Sequence, residues 1–151
     1  MQLLWSFGLD SDYCHQVVPP YWRWPVDFWN HADGFYVQVD GKHHWTGMHQ
    51  YSRSEIAALD MKLNAAAVEA RTPLVRVHAA DLQNPSCVMA ALAAAAAGAA
   101  IALTPSFASC MVEWQGKTVL YVAALQSAGP RPEPWLSQGT IEHGVCVLNP
   151  K

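Results

Sequence analysis

The sequence predicts an α/β domain in which a mixed central sheet is flanked by helices, and three observations predict it. Phe35, Val37 and Val39 alternate with Tyr36, Gln38 and Asp40, the period-two pattern of a strand with one apolar face. Ser52 and Glu55 stand at capping-box spacing ahead of Ile56, Leu59, Leu63, Ala66 and Ala70, which recur at helical intervals. Leu74-Val75-Arg76-Val77-His78 then reads as a strand, and the order strand, helix, strand favours a crossover that returns beside the first hairpin.

Taken in order, short apolar and β-branched runs predict strands at about 14–18, 23–29 and 34–40, with Asn30-His31-Ala32-Asp33-Gly34 as the turn between the last two. A helix over about 53–71 is stopped by Thr72-Pro73. Asn84 reads as an N-cap with Pro85 at the first helical position, opening an Ala-rich helix that Gly98 ends before a strand over Ala100 to Leu103. Cys110–Trp114 and Thr118–Leu125 flank Gln115-Gly116-Lys117 as a hairpin expected to extend the sheet. From Ser127 onward Gly129, Pro130, Pro132, Pro134 and Gly139 resist regular structure, so the expected organisation is one domain over 1–126 and a Pro/Gly-rich tail over 127–151.

The length of 151 residues fits one core. Apolar residues make up 52% and charged residues 14%, which excludes a disordered chain and leaves room for a protein partner on an apolar face. A formal charge of −3 denies the chain a global basic footprint, although seven histidines add positive charge if protonated near a polyanion. Four scattered cysteines with no C-x-x-C pair predict reduced thiols. The start Met1-Gln2-Leu3-Leu4-Trp5 has no basic region and reads poorly as a signal peptide, so an intracellular protein is expected. Cys87 to Leu103 is mostly alanine, interrupted by Gly98, and no membrane partner is expected.

The most informative stretch is Trp24-Pro25-Val26-Asp27-Phe28, followed by Phe35-Tyr36-Val37-Gln38-Val39-Asp40-Gly41-Lys42-His43-His44. It resembles the Vsr-like branch of the PD-(D/E)XK nuclease superfamily, in which a V-D-F strand precedes a hydrophobic strand ending in an acid and then D-G-x-x-H. Ala58-Leu59-Asp60-Met61-Lys62 and Leu74-Val75-Arg76-Val77 continue the resemblance, which spans about 23–78. It implies a restriction-endonuclease-like fold and a metal-dependent DNA endonuclease using Mg²⁺ or Mn²⁺. It implies Asp27, Asp40, His44, Asp60 and Lys62 as catalytic residues, and Asp27, Asp40, Gln38 and the Val39 carbonyl as metal ligands.

Hard Mg²⁺ takes oxygen ligands and readies a water for attack while offsetting phosphate charge. A hairpin that brings Asp27 and Asp40 to one face suits that chemistry. His44 then lies beyond the strand end as acid or base, Asp60 orients its imidazole, and Lys62 meets a phosphate. Two departures stand out: Gln38 replaces the family's Glu, and no Glu lies between Met1 and Asp27. A catalytically weakened relative that binds nucleic acid or a protein partner, and a structural subunit of a larger assembly, are therefore kept beside the nuclease reading. His43, His44 and His49 lack a nearby cysteine, and zinc is not expected there. Trp22, Trp24, Trp29 and Trp45 crowd the same region, where aromatics either fill a core or stack on bases.

Overall fold

A computed structural model describes residues 10–46, 50–114, 117–120, 139–142 and 145–148. Among these residues nine strands and three α-helices follow in order. They are β1 (Tyr13–Val17), β2 (Val26–Asn30), β3 (Phe35–Asp40), α1 (His43–Thr46), α2 (Arg53–Glu69), β4 (Leu74–His78), α3 (Pro85–Ala96), β5 (Ile101–Leu103), β6 (Met111–Trp114), β7 (Lys117–Leu120), β8 (Gly139–Glu142) and β9 (Val145–Leu148). The main sheet is mixed, in the order β1-β2-β3-β4-β5-β9-β8. β1, β2 and β3 are antiparallel, β3, β4 and β5 run parallel, and β9 returns antiparallel to β5.

The β2–β3 turn forms where expected. The Asn30 side chain accepts from the Asp33 N–H, Gly34 N–H donates to the Asn30 carbonyl, and Gly34 adopts φ +72°, a conformation that side-chain-bearing residues resist. Register then fixes the faces. Tyr36 of β3 packs with Ala57, Met61 and Ala67 of α2 and with Leu74, Ile101 and Leu103, whereas Phe35 and Val37 pack with Val75, Val77, Val88, Ala91, Leu92 and Ala95. One helix therefore covers each face of the sheet.

Both long helices end alike. After α2 the N–H groups of Arg71 and Thr72 donate to the carbonyls of Val68 and Ala67, and after α3 those of Gly98 and Ala99 donate to Ala95 and Ala94. This is the Schellman arrangement, which needs a left-handed residue: Gly98 at φ +99° supplies it after α3, and Arg71 at φ +54° after α2. The capping box of α2 is present in full, with Ser52 Oγ accepting from the Glu55 N–H and Glu55 accepting from the Ser52 N–H.

Several expectations are corrected. β2 begins at Val26, because Trp22, Arg23 and Trp24 lie outside the sheet. Asn84 holds the N-cap position of α3 with Pro85 opening the helix, as expected, but its side chain makes no capping hydrogen bond, and Asn84 Oδ1 instead accepts from the Ser86 hydroxyl. β6 and β7 form a separate two-stranded sheet instead of extending the main one. Residues 121–125 of that expected hairpin lie outside the described residues. Of the expected tail, 139–142 and 145–148 are strands that complete the main sheet beside β5, because Ile141, Val145 and Val147 supply β-favouring residues beyond the prolines. Cys14, Cys87 and Cys110 are free thiols, and among the described residues no helix is long and apolar enough to cross a membrane.

Candidate functional site

Strand alternation places Gln38 and Asp40 on the face of β3 that Tyr36 turns toward α2. The parallel register sets Gln38 beside Arg76 and Asp40 beside His78, so Arg76 enters the space between sheet and helix. α2 presents Asp60 and Asn64 there, one turn apart. After Asp40 the chain turns through Gly41 into α1, whose first turn is tied by the His44 N–H to the Gly41 carbonyl, and this folds His44 back over the strand end.

Five side chains meet at that point. Arg76, fully buried, donates through Nε to Asp40 Oδ2 at 2.7 Å and through Nη2 to Asp40 Oδ1 at 2.9 Å. The same Nη2 lies 2.7 Å from Asp60 Oδ1, while Nη1 donates to the Asp60 carbonyl and to Asn64 Oδ1. His44 faces both acids, with Nδ1 2.9 Å from Asp60 Oδ2 and Nε2 3.3 Å from Asp40 Oδ1. Two buried carboxylates are thus shared between one guanidinium and one imidazole, and the set is electrically neutral when His44 is protonated.

The electrostatics follow from that sharing. Burial alone would drive the imidazole of His44 toward its neutral form, but the hydrogen bond to Asp60 and the negative charges of Asp40 and Asp60 outweigh it and raise its pKa. Burial likewise opposes ionisation of Asp60, yet Arg76 and His44 together hold its pKa below the ordinary value. Asp40 moves the other way: complete burial and the neighbouring Asp60 charge raise it despite the bidentate Arg76. His43, whose ring lies 4.4 Å from that of His44, has its pKa lowered by burial and by the His44 charge.

The sequence-predicted residues divide into two groups. Asp40, His44 and Asp60 come together, with donor atoms all within 4.8 Å of one another, a spacing that could hold a metal ion. Arg76 already occupies that space as its cation, and a divalent ion added there would meet the guanidinium charge. Asp27 lies outside this group. Its Oδ2 accepts from the Val39 backbone N–H at 2.7 Å and its Oδ1 from the Gln16 side-chain amide at 3.2 Å. Since a carboxylate keeps further lone pairs when it accepts two hydrogen bonds, Asp27 remains a fit ligand for hard Mg²⁺, with Gln38 and Val39 its neighbours on β3. Asp40 fits less well, because both its oxygens are bound to Arg76 at zero exposure. Lys62 is exposed on α2 and lines a groove with Tyr21, Trp22, Arg23 and Trp24.

Arg76 and Asn64 belong to the site although neither was among the predicted site residues. The sequence did carry a signal for Arg76: a lone cation between Val75 and Val77 in an apolar strand has to be paired if it is buried, and the facing helix offers Asp60. No family model, curated protein or solved structure matches this chain.

Proposed function

We propose that the protein is a nucleic-acid phosphodiester hydrolase, a metal-dependent DNA endonuclease on a restriction-endonuclease-like fold. The observation that carries this reading is His44: an imidazole fixed between two carboxylates, with its pKa raised, at the carboxyl ends of the parallel strands β3 and β4. In open α/β sheets that end is where ligands bind. A raised pKa favours the protonated imidazole, the form a general acid needs when it donates to a departing oxygen.

Asp60 accepts from His44 Nδ1 and fixes the plane of the ring, while Nε2 faces Asp40 Oδ1 at the end of β3. Asp40 and Arg76 act as positioning residues: Arg76 clamps both acids, so neither can swing away from the imidazole. Asp27 with the oxygens of Gln38 and Val39 is the set that would hold Mg²⁺ or Mn²⁺, and such an ion supplies a readied water and offsets phosphate charge.

A second reading is favoured by one observation. Asp40 is neutralised by Arg76 and position 38 is an amide, so Asp27 is the single carboxylate of the proposed ion site, which fits a catalytically weakened domain that binds nucleic acid or a protein partner. Service as a structural subunit of a larger assembly is the bland form of the same idea. Plasmid nicking in Mg²⁺ or Mn²⁺ decides between them. The hydrolase reading expects conversion of supercoiled to nicked plasmid by the parent and its loss in Asp27→Ala. Absence of nicking by the parent in either metal overturns it in favour of the binding domain.

A further inference from the structure

The segment before β2 does more than connect strands. Pro20 to Trp24 leave the sheet and lie against α2, where Tyr21, Trp22, Arg23 and Trp24 with Leu59 and Lys62 line a groove of about 420 Å³, within the range of ligand pockets. Trp22 packs on the core cluster under α2 and stands edge-on to Trp24 at 5.5 Å. Trp24 itself is 41% exposed, one of few large apolar side chains left in water among the described residues. The Arg23 guanidinium carbon lies 3.9 Å from the centre of the Trp24 ring, a cation–π contact that sets a positive charge beside the indole. No acidic residue is among the described residues lining the groove, although the chain as a whole carries −3.

Two cations beside two indoles, one anchored and one exposed, match the chemistry of a nucleotide: phosphate for the charges, a base face for the rings. A paired base hides its faces inside the stack, so a fixed indole reaches an unpaired one. We infer that this groove takes an unpaired nucleobase with its adjoining phosphate, and hence that the nucleic acid engages the protein as a single-stranded segment. The inference rests on the nucleic-acid reading above and names its substrate class. Leu59 and Lys62 lie on the same helix as Asp60, so a strand seated in the groove runs along the element that positions His44.

The test is binding without chemistry. Fluorescence anisotropy in EDTA compares a labelled oligothymidylate of about a dozen nucleotides with a duplex of equal length, for the parent, Trp24→Ala, Trp24→Phe and Arg23→Ala. The parent is expected to prefer the single strand. Trp24→Ala should weaken single-strand binding about 5- to 150-fold, the range for losing one stacked base, and Trp24→Phe should restore most of it. Arg23→Ala should flatten the salt dependence by roughly 0.7 in log–log slope. Equal affinity for duplex and single strand, or Trp24→Ala binding as the parent does, overturns the inference, the second result marking mere phosphate attraction. A plasmid-nicking parent with these negative results loses the groove and keeps the hydrolase. A parent that fails to nick but shows the Trp24-dependent preference keeps the groove and loses the hydrolase.

Discussion

Replacing Arg76 by methionine keeps most of the apolar stem of the buried side chain and removes its charged end, leaving Asp40 and Asp60 with His44 as the remaining cation of the cluster. The side chain gives up three close contacts to carboxylate oxygens, at 2.7, 2.9 and 2.7 Å, besides those to the Asp60 carbonyl and Asn64. Removing one partner of a buried ion pair costs about 3–5 kcal/mol, because the remaining charge is stranded away from water. For a chain of this size each kcal/mol moves Tm by about 2–4 °C, so Arg76→Met should melt about 6–20 °C below the parent at pH 7. The loss must also depend on pH. Without Arg76 the two acids bind protons more readily in the folded state, so the deficit is full at neutral pH and shrinks as pH falls and they are neutralised. Thermal unfolding followed by circular dichroism at pH 7 and pH 5 measures both effects. A deficit under about 1 kcal/mol at pH 7, or one of equal size at the two pH values, would refute the stranded-carboxylate argument.

Three further outcomes are expected. The raised His44 pKa contributes stability that is fully present below the unfolded value of about 6.5 and is lost as pH rises through the folded value; His44→Gln should abolish this decline in urea titrations run across that window, and an unchanged pH profile would count against the ion cluster. Under the hydrolase reading His44→Ala should lower the nicking rate about 10² to 10⁴-fold while His43→Ala, an exposed neighbour, changes it far less; equal losses would remove His44 as the specific proton donor. Arg71→Gly should stabilise the chain by up to about 1 kcal/mol, since glycine relieves the left-handed strain at the end of α2, and a destabilised variant would show that the Arg71 side chain matters more than its backbone.

The elements that were legible in the sequence are those whose signals are local. The alternation of Phe35 to Asp40, the Ser52–Glu55 box and Gly98 each act within a few residues, and the structure holds each of them in its expected place. What escaped depends on distant partners. Trp22 and Trp24 carry strand-like aromatic character, and only their packing beside α2 takes them out of the sheet. Gly139 to Leu148 follow a proline-rich stretch that masks their pairing with β5. Asp40 reads as a metal ligand from the motif alone, because its neutralisation comes from Arg76, 36 residues away. The motif gives Asp60 a place beside His44, but its burial is a property of the assembled layers that helical spacing alone does not carry.

Gln16 has a bearing on how the molecule behaves among its neighbours. Among the described residues β1 is a terminal strand of the main sheet, and Cys14, His15 and Gln16 are exposed along it. A straight terminal strand invites a second molecule to add its own strand, the first step toward aggregation. Gln16, at φ +53°, breaks the extended course of β1 after three residues, while its amide holds Asp27 on the inner side. The regular run on this edge is therefore short, one of the devices by which sheets blunt their edges. A residue that helps seat Asp27 thus also shortens the straight run that this edge presents to another strand.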